Sequence, residues 1–184
     1  MNAIPGPTPL VGKPGALFEI RGGEFVPVPL PQPDFVPLAI DADGRLIAGR
    51  TTGDRQVRRY RGSSLEATYH FRLEMLRSLA VMGSRVIVVY VDGRAQGIDE
   101  NTVPRIDYTQ RLNRRFTFVD ARDSRVAFAG EEILICDWDG AVLEKGAGAP
   151  RVRLLEKGFQ PIHEPGKDLA HDWWVAGDQV VGRL

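Results

Sequence analysis

A phrase of apolar runs joined by Asp-Gly turns returns along this chain, and it limits what the chain can fold into. It reads Val36-Pro-Leu-Ala-Ile-Asp41-Ala-Asp43-Gly44-Arg-Leu46-Ile-Ala-Gly49, then Val57-Arg-Arg-Tyr60-Arg-Gly62. It returns as Phe116-Thr-Phe-Val-Asp120, Arg125-Val-Ala-Phe-Ala-Gly130 and Ile133-Leu-Ile-Cys-Asp-Trp-Asp139-Gly140. The C-terminal end supplies a first half only, Asp172-Trp-Trp-Val-Ala-Gly177 and Gln179-Val-Val-Gly182. The N-terminal end supplies a second half only, Ala16-Leu-Phe-Glu-Ile-Arg-Gly22-Gly23 and Glu24-Phe-Val-Pro-Val28. Asp-Gly between apolar runs marks a hairpin, because the turn needs a positive φ that glycine adopts at little cost. Each such turn commits the chain to antiparallel pairing with its own neighbour.

Period-two alternation carries the rest. Ala67, Tyr69, Phe71, Leu73 and Met75 alternate with Glu66, Thr68, His70, Arg72 and Glu74. Ile106, Tyr108, Leu112, Phe116 and Phe118 share one parity. This is the pattern of strands with one buried and one wet face. Val86 to Val91 and Ile133-Leu-Ile-Cys136 are continuous apolar runs of strand length, which suit strands buried on both faces. Residues 64–80 admit two readings. Ser63-Ser-Leu-Glu66 fits a capping box, and Leu65, Tyr69, Leu73, Leu76 and Ala80 fit a helical stripe. The unbroken alternation from Glu66 to Met75 favours strand.

Hairpins at a spacing of about forty residues read as propeller blades. The stretch Ala39-Ile-Asp41-Ala-Asp43-Gly44-Arg-Leu46-Ile-Ala-Gly49 with Gly53 and Tyr60-Arg-Gly62 resembles the repeat of bacterial β-propellers of the sensor-regulator type. In that family an Asp-x-Asp-Gly turn joins the first two strands of a blade. Ile47 stands where the family carries an aromatic residue. The fold expected is all-β, a small propeller of about four blades. Residues 35–71, 72–115 and 116–160 are the first three, and the fourth is shared between strands from 172–184 and strands from 16–30. A Greek-key sandwich or an irregular barrel is the alternative. Residues 1–15 carry Pro5, Pro7, Pro9 and Pro14, so they are expected as an extended arm ahead of a single domain over 16–184, with no helix and no inner strand.

Composition narrows the function classes. Lysine plus arginine equal aspartate plus glutamate, 24 against 24, in 184 residues. A dedicated nucleic-acid binder usually shows a positive excess, so nucleic acid is an unexpected partner. The one cysteine, Cys136, permits no intrachain disulfide and no cysteine-based zinc site. No apolar run approaches the length of a membrane helix, and Met1-Asn-Ala-Ile lacks the features of a secretory leader. A soluble, cytoplasmic protein without membrane contact is expected, with incorporation into a particle as a further possibility.

The candidate chemistry is thin. Asp41 with Asp43 and Asp137 with Asp139 place paired carboxylates beside a glycine, as a calcium loop would, but self-capped turns explain them better. His163, Glu164, Asp168, His171 and Asp172 gather in one connection that reads as a solvated loop. No nucleophile elbow, phosphate loop or dinucleotide fingerprint is present, so no enzyme, cofactor or metal is expected. Two features remain as binding candidates. Arg55, Arg58, Arg59 and Arg61 form a basic strand, either facing an acidic partner or lying as a solvated edge. Trp173 and Trp174 are adjacent, so in a strand they face opposite sides, and one is available for contacts between blades or for a ligand. The function expected is a non-catalytic binding or structural protein. It would be a subunit of a larger assembly, such as a phage or secretion-type particle, contacted through the 1–15 arm. A carbohydrate-binding lectin and a soluble inhibitor or immunity-type protein are the alternatives.

Overall fold

The computed structural model describes residues 2–4, 10–13, 15–32, 34–41, 43–50, 56–71, 75–100, 104–163, 173–176 and 179–182. The chain divides into two compact units, residues 1–73 with 165–184, and residues 74–164.

The first unit holds two four-stranded antiparallel meanders. One runs β1 (Asn2–Ile4), β2 (Leu10–Lys13), β3 (Ala16–Arg21) and β4 (Glu24–Val28). The other runs β5 (Phe35–Ile40), β6 (Leu46–Arg50), β7 (Gln56–Arg61) and β8 (Ser64–His70). The second sheet matches the expected blade at 35–71 almost residue for residue. Its residues 64–70 are strand, so alternation decides over the helical stripe: Ala67 and Tyr69 are buried while Leu65 is 55% exposed. Between the sheets, Leu17, Phe35, Leu46, Ala48 and Tyr60 form a core, with Phe35 and Tyr60 rings 5.4 Å apart. Buried side chains of this size each contribute roughly 1.5–3 kcal/mol.

Two expectations at the chain ends meet a different outcome. Leu10–Lys13 is an inner strand, bonded to β1 on one side and β3 on the other. Proline excludes a residue from inner pairing, but these four residues lie between Pro9 and Pro14 and contain none. The edge of β3 that a blade shared by both ends would use is therefore taken by β2. Among the described residues, β19 (Trp173–Ala176) pairs with β20 (Gln179–Gly182), not with β3 or β4.

The second unit holds two four-stranded meanders and a pair. The first runs β9 (Leu76–Met82), β10 (Arg85–Tyr90), β11 (Ala95–Ile98) and β12 (Ile106–Asp107), followed by the helix α1 (Tyr108–Leu112). The second runs β13 (Phe118–Arg122), β14 (Arg125–Ala129), β15 (Glu132–Asp137) and β16 (Val142–Ala147). The pair is β17 (Arg151–Leu154) with β18 (Phe159–Ile162). The strands β14 and β15 bury both faces, as their unbroken apolar runs require. Val126, Phe128, Leu134 and Cys136 join Ile87, Val89, Tyr108, Phe116 and Trp138 in one core. Ala127, Ala129, Ile133 and Ile135 pack with Val152 and Leu154 in another.

Helix α1 replaces strand where the parity of Ile106, Tyr108 and Leu112 suggests more sheet. Tyr108 and Leu112 are also four apart, so they share a helical face equally well. Asp107 caps the helix by accepting from the Gln110 N–H at 3.0 Å, and Asn113 closes it at φ 50°.

Polar side chains, the buried Ser78 and the half-buried Asp120, join first strands that, among the described residues, have no backbone ladder between them. The Ser78 hydroxyl on β9 accepts from the Val119 N–H of β13 at 3.2 Å. The Asp120 carboxylate on β13 accepts from the Leu154 N–H of β17 at 2.7 Å and from the Ala121 N–H at 2.9 Å. Burial pushes the Asp120 carboxyl above its ordinary range, with the two N–H groups pulling the other way.

Candidate binding site

The Asp-Gly turns are built alike at three places. The N–H of Asp41, Tyr90 and Asp137 each donates to the carbonyl four residues on, and Gly44, Gly93 and Gly140 each donate back to that first residue. The glycines sit at φ +76°, +84° and +84°. Asp41 accepts from the N–H groups of Asp43 and Arg45, and Asp137 accepts from Ala141, so each aspartate caps its own turn. No group of three or more His, Cys, Asp or Glu that could hold a metal occurs among the described residues. The turns differ in place: 41–45 joins the first two strands of its sheet, whereas 90–94 joins the second and third and 137–141 the third and fourth.

The predicted basic strand is β7, and it is not an edge. It lies between β6 and β8. Arg58 donates to the Gln56 side chain at 3.1 Å. Arg59 is 6% exposed and donates to the Tyr69 hydroxyl at 3.1 Å. Arg61 donates from Nε to Glu66 at 2.7 Å. Glu66 also meets Arg45 at 2.8 Å and Arg59 at 3.7 Å, while Arg45 reaches Asp43 at 2.5 Å and Asp41 at 3.5 Å. The Arg61 hydrogen bond and the charges of Arg61, Arg45 and Arg59 hold the Glu66 carboxyl below its ordinary range, against the opposing effect of burial. Arg45, Arg59 and Arg61 are thus consumed in stapling the β5–β6 turn to the β7–β8 hairpin through Glu66. Arg55 lies outside the described residues, as do the side chains of Trp173 and Trp174 on β19 and the whole stretch from Glu164 to Asp172; His163 is exposed.

A second basic stretch, which hairpin patterning does not pick out, surrounds an open depression of about 300 Å³. Arg105, Ile106, Asp107, Gln110 and Arg111 line it. Residues 105–115 carry four arginines against the single acid Asp107. Asp99 binds Arg85 at 3.0 Å and also binds Arg105, and the Arg85 guanidinium stacks 4.5 Å from the centre of the Trp138 ring. Beneath, the Tyr108 hydroxyl donates to the Trp138 carbonyl at 2.5 Å, and Gly97 leaves no room for a Cβ against Trp138 and Tyr108. Arg111 lies across Gly140, where a Cβ would stand 2.9 Å from its Cδ. Cys136 is buried in the core beside them, and burial pushes its thiol up to about 11, which keeps it protonated at neutral pH and unsuited to attack.

Comparison with known proteins gives the fold a name. No protein-family model matches the chain, and no curated protein does. Solved structures do. The WD40 beta propeller domain of Doa1 matches at TM-score 0.54 and 15% identity, over 79% of this chain and 53% of that one. BamB from Moraxella catarrhalis matches at TM-score 0.53 and 13% identity, over 96% of this chain and 53% of that one. YCF48, solved bound to D1 peptide, matches at TM-score 0.50 and 17% identity, over 76% and 50%. These sheets are β-propeller blades. The chain spans about half the length of each of these propellers, and the likeness at such identities is one of fold. Within the blades, β16 is an outermost strand, last in the order β13-β14-β15-β16. Its Val142 and Leu143 are 41% and 58% exposed, beside exposed Glu144 and Lys145.

Proposed function

We propose that this chain is a non-catalytic binding protein whose ligand is another protein, engaged at the outer edge of a propeller blade. The observation that carries the reading is β16. Its first two residues, Val142 and Leu143, stand at a β-bulge and expose adjacent apolar side chains on a strand that, among the described residues, has no neighbour beyond it in its sheet. Such an edge offers backbone hydrogen bonds together with apolar contact, the chemistry of strand addition. Glu144 and Lys145 keep the edge soluble until a specific partner arrives. A place in a larger particle, of phage or secretion type, is the narrower form of the same reading.

Lysine is scarce, with only Lys13, Lys145, Lys157 and Lys167, so amine-reactive cross-linking reports on few sites. In material captured from the native source, Lys145 is expected to join partner peptides, and the exposed Lys157 on the β17–β18 turn is not. Equal reactivity of both lysines in free and captured protein, with no partner peptide at Lys145, would overturn the reading.

A further inference from the structure

We infer that the depression beside α1 is a docking site for a glutamate or aspartate side chain of a protein segment, with Arg105 and Arg111 as its guanidinium donors. This deepens the binding reading and rests on it, although the two surfaces are separate and are tested separately. Four observations point the same way. The cations lining the depression are both arginines, whose planar fork matches a carboxylate with two parallel hydrogen bonds. Arg105 is held in place by Asp99, which uses one terminal nitrogen and leaves other donors of the fork available. Arg111 is exposed, and its stem is seated over Gly140. The floor is the buried Ile106, which supplies apolar surface to the methylenes that precede a carboxylate.

The lining also says which anion fits. Asp107 is part of it, and the charge of Asp139 is felt at Arg105 after that of Asp99. A phosphodiester chain or a doubly charged phosphate laid here would meet these carboxylates as well as the arginines. A single carboxylate, carried on an extended peptide, can fork to the arginines and keep the rest of its chain uncharged. An open depression suits such a side chain better than an enclosed metabolite would. The charge of residues 105–115 is local, because the whole chain balances 24 basic against 24 acidic residues. A general attraction for polyanions is therefore not expected.

The test is a titration of the full-length, ¹⁵N-labelled protein, followed at the arginine Nε–H resonances. The probe is a synthetic Gly/Ser peptide with blocked ends bearing one glutamate, compared with its glutamine twin and with oligothymidylate. The glutamate peptide is expected to shift two arginine signals in a saturable way and to bind about tenfold more tightly than its twin, the effect of one charge-assisted hydrogen bond. Arg111→Gln should remove one of the two shifting signals and weaken binding about tenfold, a loss of the same origin. Arg105→Gln should remove the other, and the exposed Arg122→Gln should change nothing. Thermal midpoints of the variants establish that each is folded. Equal binding of peptide and twin, an unaltered titration in Arg111→Gln, or tighter binding of oligothymidylate than of peptide would each overturn the site. None of these outcomes bears on cross-linking at Lys145, so the inference can fail while the edge-strand reading stands.

Discussion

Residues 55–61 and residues 105–115 each carry four arginines, yet the fold gathers Arg59 and Arg61 around one carboxylate and leaves Arg105 and Arg114 in exposed pairs with Asp99 and Glu132. On β7, an inner strand, alternation sends Arg59 and Arg61 to the face where Glu66 of the next strand stands, and Arg45 arrives from the neighbouring turn. One carboxylate meets three guanidiniums and the charge is spent internally. In 105–115 the chain leaves the sheet after Asp107 and turns into α1, whose last turn holds Arg111 exposed at the surface. Counting arginines in a window therefore says little about basic surface. What decides is whether the next hairpin brings an acid opposite.

Arg59→Ala is the strongest way to break this contrast. Arg59 is buried, so its removal takes away packed methylenes and leaves Tyr69 and Glu66 without a partner they hold in the fold. A loss of about 3 kcal/mol is expected in chemical denaturation. A loss below about 1 kcal/mol, the range of surface pairs, would place Arg59 in the same class as the arginines of 105–115.

Glu66→Gln sharpens it next. The folded Glu66 carboxyl lies below its ordinary value of 4.5, so its contribution is present above that value and fades as pH falls through the folded value. The wild type should lose thermal stability below about pH 4.5 more steeply than Glu66→Gln. Asp120 acts in the reverse direction. Its folded carboxyl is raised above 3.8, so its burial penalises the fold at neutral pH and is relieved on acidification. Asp120→Asn should accordingly steepen the acid limb that Glu66→Gln flattens. Parallel acid limbs in all three proteins would show that neither carboxylate governs acid stability. A smaller effect is expected from Tyr69→Phe, which keeps the ring and deletes only the oxygen that accepts from Arg59. About 1 kcal/mol follows from one such hydrogen bond, and no change would mean that Arg59 finds another acceptor.

Much of this architecture is legible in the sequence, because period two and Asp-Gly turns are local signals. The sheet β5–β8 comes straight from them, and the doubly buried strands β10 and β15 come from the continuous apolar runs Val86 to Val91 and Ile133 to Cys136. What escapes is whatever depends on pairing partners. The burial of Arg59 needs the knowledge that β7 is inner, and the alternation of an edge strand looks the same. The prolines around Leu10–Lys13 suggest an arm, although the four residues between them can pair on both sides. Position within a blade escapes too: the phrases ending at Gly44 and Gly140 look like equivalents, yet one turn closes the first hairpin of its sheet and the other the last. Helix α1 did leave a trace, the Asp107 cap three residues before Gln110 and the Asn113 stop. At five residues it is too short for a hydrophobic period to outweigh the strand parity of its flanks.

The smallest expected effect on stability is also the most informative about function. Arg111 sits on the surface of a short helix, so Arg111→Ala removes an exposed charge and a stem that rests on Gly140. The change should alter the denaturation midpoint by no more than about 0.5 kcal/mol. A residue that the fold can lose so cheaply, beside a cluster whose other arginine is tied down by Asp99, is left free to meet what approaches from outside. If Arg111→Ala instead destabilises the protein as Arg59→Ala does, Arg111 is a clamp on the 137–141 turn, and the contrast between the two arginine sets collapses into one structural role played twice.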